Sequence, residues 1–88
     1  MKIWKDLIVE NEFHRTGTGY ILSVDLQKSG VVDAYWIDEI PIETNDIIVY
    51  MGMEFRIRKI ECFGNLLSDK IRANVGLVVV GLGIHEVK

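Results

Sequence analysis

The sequence has little of what many functional classes require. Its single cysteine, Cys62, cannot form an internal disulfide, and it lacks the companion ligands of a zinc site. Its single proline, Pro41, and an apolar content of 49% argue against a disordered chain. Basic side chains number 10 against 13 acidic ones, so no broad field attracts phosphate and nonspecific nucleic-acid binding starts disfavoured. No long apolar run is present: Val75–Ile84 covers about half of the ~20 residues that a spanning helix needs. The opening "MKIWKDLIVE" is interrupted by Lys2, Lys5, Asp6 and Glu10, which no secretory signal tolerates. The expectation is a cytoplasmic protein with no membrane segment.

At 88 residues, without repeats, low-complexity tracts or linker composition, the chain reads as one domain over residues 1–88. The periodicities within it are those of strands. In "MEFRIR", Met53, Phe55 and Ile57 alternate with Glu54, Arg56 and Arg58, which puts one face in a core and the other in water. Ile60 then breaks the parity, and a bulge near Arg58–Lys59 accounts for the slip. In "YILSVDL", Tyr20, Leu22, Val24 and Leu26 share a face opposite Ser23 and Asp25. "QKSG" and "ETND" are turn chemistry, and Met51–Gly52 between two strand-like runs predicts a tight hairpin. "AYWIDEIPI" is rich in strand formers, but Pro41 lacks a ladder donor and confines it to an edge or a strand end. "IWKDLI" pairs Ile3 with Leu7 and Trp4 with Ile8 at helical spacing, in a segment too short for a stable helix. Six or seven short strands in so small a domain indicate a small barrel or sandwich, and the barrel is favoured because closure removes exposed edges.

Two separated segments resemble the second, β-barrel domain of translational GTPases such as elongation factor Tu. "TGTGYILSVDLQKSG" is similar to that domain's opening Gly-x-Gly element, apolar strand and turn at a glycine. "FRIRKIECFGNLLSDKIRANVGLVVVGL" is similar to its later half, with Glu61–Phe63 as the Glu-x-Phe strand end, Asn74–Gly76 as the Asn-Val-Gly entry to the closing strand, and Gly81 within it. "NDIIVYM" takes the place of a Gly-Asp-x-Val strand, with Asn45 where glycine is usual. The resemblance spans about residues 13–84 in order. It implies a six- or seven-stranded antiparallel Greek-key barrel acting as a stand-alone binding module, because in the family this domain packs on the nucleotide domain and touches tRNA or ribosomal RNA. GTP binding does not carry over: GxxxxGK[ST], Asp-x-x-Gly and Asn-Lys-x-Asp are all absent, and no cofactor is expected.

The chemistry-bearing residues admit two readings each. Gly17 and Gly19 in "TGTG" lack the third glycine and following helix of a nucleotide loop, and read as turn glycines. His14 and Arg15 could contact an anion or RNA phosphate at the barrel rim, or stand solvated at a loop start. Arg56, Arg58 and Lys59 form either a nucleic-acid-binding stripe flanked by Phe55 and Phe63 or a wet sheet face paired with Glu54 and Glu61. Asp38, Glu39, Glu43 and Asp46 lack calcium-loop spacing and read as a solvated acidic loop. Tyr35 and Trp36 cannot both face inward, so one would be an exposed anchor for a protein contact. His85 lies beside Glu86 in a tail expected to fray, and Cys62 has no histidine placed to activate it. In the closing strand, Val75, Leu77 and Val79 should face inward, leaving Val78 and Val80 on a second apolar face.

Three functions follow as expectations. The first is a non-catalytic module binding a protein or RNA through the residues named above. The second is a small-molecule or enzymatic domain using a barrel mouth around His14, Arg15 and Thr16. The third is a homo-oligomer formed through the Pro41-bearing edge.

Overall fold

The computed structural model describes residues 1–34, 36–37, 39–62 and 71–86. The fold is all-β. Six strands form one sheet in the order β1-β5-β6-β8-β3-β2. They are β1 (Ile3–Trp4), β2 (Val9–Arg15), β3 (Gly19–Asp25), β5 (Ile47–Tyr50), β6 (Met53–Cys62) and β8 (Asn74–Ile84). A separate two-residue ladder joins β4 (Trp36–Ile37) to β7 (Ile71–Arg72). Residues 38 and 63–70, which include Asp38 and Phe63, lie outside the described residues, as does Tyr35.

Turn chemistry sets the two hairpins. Between β2 and β3, the Thr18 amide donates to the Arg15 carbonyl at 3.0 Å, and Gly17 holds the positive φ that the third position of such a turn demands. Between β5 and β6, Met51 and Gly52 both adopt positive φ, the two-residue geometry that matches strand twist. The expected bulge is present, with a register shift between Ile57 and Lys59 that leaves Arg58 unpaired. A second shift, between Glu54 and Phe55, leaves Leu82 of β8 unpaired.

Alternation then builds the core. Leu22, Val24 and Leu26 meet Val75, Leu77 and Val79 on one face, joined by Ile48, Phe55, Ile57 and Trp4. The other face of β3 and β8 is also covered: Ile21 and its partner Val78 are 0% and 1% exposed, outside that cluster. Arg15 of β2 and Glu61 of β6 join across the intervening β3 and β8 on this face. Val78 is therefore covered, and not by the N-terminus, since Trp4 belongs to the opposite core. Val80 remains exposed.

Two expectations about the barrel are corrected. The sheet is mixed, because β1 pairs with β5 in parallel, Ile3 with Ile47 and Trp4 with Ile48. It is also not closed: β1 and β2 are the two edges, with no pairing between them. One buried carboxylate holds the parallel strand in place. Asp46, only 3% exposed, accepts hydrogen bonds from the Lys2 amide (2.9 Å), the Trp4 indole (3.0 Å) and the Glu43 amide (3.0 Å). These bonds tie the N-terminal segment to β5 as a strap, so "IW" forms a strand instead of a helical turn and Asp46 is not part of a solvated loop. Burial pushes the Asp46 carboxyl up, but the Trp4, Glu43 and Lys2 donors and the nearby N-terminal charge outweigh it and hold the group below its ordinary range. Glu12 of the edge strand β2 lies by two tyrosines, Tyr20 on the paired strand β3 and Tyr50 on β5. The Tyr20 hydroxyl donates to Glu12, and burial together with Glu12 raises the Tyr20 phenol to about 12. Burial and the same carboxylate raise Tyr50 of β5.

Candidate functional site

The residues singled out from the sequence are mostly occupied by the fold. Arg15 Nη1 lies 2.9 Å from both oxygens of Glu61. Arg58 donates to the Thr18 carbonyl, and Arg56 Nη1 reaches Asn45 Oδ1 at 3.2 Å. Arg15 and Arg58 thus converge near the β2–β3 turn, whereas Arg56 points to a different turn. Lys59 and His14 are exposed, His14 directly across from Tyr20. Trp36 is placed by its backbone in β4, away from the six-stranded sheet. Basic side chains are therefore dispersed and largely paired, a poor platform for a phosphate backbone.

A cleft of about 490 Å³ runs along the N-terminal strap, lined by Lys2 to Leu7, Ser29 to Val31 and Pro41. It does not include His14, so it is not the mouth expected for a small-molecule site. Its polar groups already serve the fold. Ser29 Oγ accepts from the Ile8 amide and donates to the Asp25 carbonyl, and Lys2 Nζ sits 4.1 Å above the Trp4 ring. Among the described residues, no three His, Cys, Asp or Glu side chains are grouped to hold a metal ion.

The sequence reading missed the feature at the other end of the sheet. The β5–β6 turn and the end of β8 expose four large apolar side chains, with Met51 at 83%, Ile84 at 80%, and Met53 and Leu82 about half exposed. Met53 pairs directly with Ile84, and the His85 amide donates to the Gly52 carbonyl at 2.9 Å. The expected fraying is thus corrected: strand pairing continues to Ile84, and His85 Nδ1 lies 2.7 Å from Glu54 Oε2. Leu82 is the bulge residue between Gly81 and Gly83, and Gly83 has φ +124, a backbone that favours glycine. Tyr50 stands opposite Met53, which sets the Glu12–Tyr20–Tyr50 group beside this apolar end. A sequence signal for it did exist. Met51 occupies a hairpin position where Asn, Asp or Gly is the usual choice, and "GLGI" strips the neighbours of side chains around Leu82.

In comparisons with known proteins, the chain matches no family model, no curated protein and no solved structure.

Proposed function

We propose that this chain is a non-catalytic binding module that engages a protein partner through the apolar end of its sheet. The observation that carries this reading is the exposure of Met51, Met53, Leu82 and Ile84 together at one end. Contiguous exposed apolar side chains favour association, and methionine adapts to irregular partner surfaces. The pairing of Arg15 with Glu61 and of Arg58 with Thr18 favours a protein over RNA. The finer fold reading, a likeness to the second domain of translational GTPases, belongs to the same proposal. It is supported by Asn45, which takes φ +74 at the position where that family uses glycine. The early part of β8, Val75 to Gly76, also pairs with Cys62 and Glu61, the strand end of the proposed Glu-x-Phe element.

Capture from the protein's own cells tests the reading. The wild type should retain a specific protein that a Met51→Ser/Ile84→Ser variant of unchanged circular dichroism loses. An identical set of retained proteins for the two forms overturns it.

A further inference from the structure

Resting on that reading, we infer that the partner segment docked at the apolar end is an apolar stretch flanked by lysine or arginine, with Met51 as its anchor. Two independent observations lead there. The first is charge. Neither Ile48–Phe55 nor Gly81–Glu86 contains a lysine or arginine, while the two stretches carry Glu54 and Glu86, and Glu12 lies by Tyr50. Of the arginines bordering these stretches, Arg56 follows Phe55 and is directed away to Asn45, Arg58 is directed to the Thr18 carbonyl, and Arg15 to Glu61. Among the described residues, the rim of the apolar end is therefore acidic. Nucleic acid and anionic lipid are repelled by it, and a second copy of this chain would bring the same carboxylates face to face. A basic, apolar peptide segment satisfies both the patch and its rim.

The second observation is backbone strain at an exposed residue. Met51 has φ +53, a region in which bulky side chains are disfavoured, and its side chain points into solvent. Folding gains nothing from methionine there, because Asn would fit the same turn with less strain. An apolar side chain kept at a strained, exposed position serves something outside the fold.

Two synthetic 12-residue peptides test this, each with the same central apolar sequence, one flanked by lysines and one by glutamates. In titrations at low salt, the lysine peptide should shift the methyl resonances of Met51, Met53 and Ile84. It should bind at least tenfold tighter than the glutamate peptide, and the difference should shrink at 0.5 M salt, where charges are screened. Met51→Asn should weaken the lysine peptide at least fivefold while raising the unfolding midpoint by about 4–8 °C. Equal binding of the two peptides overturns the charge selection and leaves apolar docking standing. Methyl shifts at residues away from this end, or unchanged affinity in Met51→Asn, overturn the placement itself.

Discussion

The two ends of the sheet are built on opposite plans. At the strap end, a two-residue strand is held by a buried carboxylate that accepts three hydrogen bonds, and Trp4 is sealed into the core. At the hairpin end, the longest strand runs out into exposed Leu82 and Ile84, and the turn holds a strained methionine. Buried polar groups must find partners, and Asp46 at the strap end meets that demand with three donors. The hairpin end departs from what stability would select, in its turn residue and in its exposed side chains. The contrast teaches that one end maintains the fold and the other is free to be used.

The sharpest way to break the comparison is to truncate one apolar residue at each end. Trp4→Ala should cost about 3–5 kcal/mol, since it opens a cavity and also removes one donor from Asp46. A domain of 88 residues has on the order of 4–13 kcal/mol in total, so the loss is a large share of the whole. Ile84→Ser, at an exposed position, should change stability by about 0.5 kcal/mol or less. Urea midpoints measure both, and equal losses at the two ends would erase the distinction.

Asp46→Asn comes next, with an expected loss of about 2 kcal/mol at neutral pH. The amide keeps the volume but loses the charge, and its NH2 would confront donors that need an acceptor. The pH dependence separates charge from shape. The folded state holds the Asp46 carboxyl below its ordinary value of 3.8, so its stabilisation is present above that value. It is lost as pH falls from there through the folded-state value. Denaturation followed from pH 7 down to about pH 2 should show the wild type converging on the Asn variant. Parallel curves over that range would mean that the charge contributes nothing.

How much of this was open to reading from the sequence differs by region, for physical reasons. The alternation in β3, β6 and β8, the Met51–Gly52 hairpin and the bulge at Arg58 all follow from local period and turn chemistry, and they appear as read. The open, mixed sheet does not follow from anything local. Its parallel strand is held by Asp46 reaching Lys2 and Trp4, more than 40 residues earlier, and a lone aspartate in "ETND" looks like loop chemistry. Second-face burial of Val78 likewise depends on its place between Ile21 and Lys59 of distant strands. At the apolar end, Met53 and Ile84 alternate as core residues would. Only the place where the sheet runs out makes them surface, and periodicity does not encode that. The dispersal of Arg15, Arg56 and Arg58 to three separate acceptors was hidden for the same reason.

The smallest effect expected lies within the β2–β3 ladder, at Tyr20. Tyr20→Phe removes the hydroxyl that donates to Glu12 while keeping the ring packed 5.8 Å from Phe55. The bond is exposed, so the loss at neutral pH should be about 0.5–1.5 kcal/mol. Its signature is on the alkaline side, opposite to that of Asp46. Burial and Glu12 raise the Tyr20 phenol from 10.0 to about 12 in the folded state. The stabilisation from this group is thus complete below pH 10 and is lost as pH rises through about 12. Wild type and Tyr20→Phe should converge over that interval, and ultraviolet titration should assign a high-pH phenolate step to Tyr20. If the hydroxyl contributed nothing to the fold, the phenol would titrate near its ordinary value, and the variant would differ from the wild type by the same amount at every pH. Convergence only above pH 10 would therefore mark this side-chain bond as a reinforcement laid over the β2–β3 ladder.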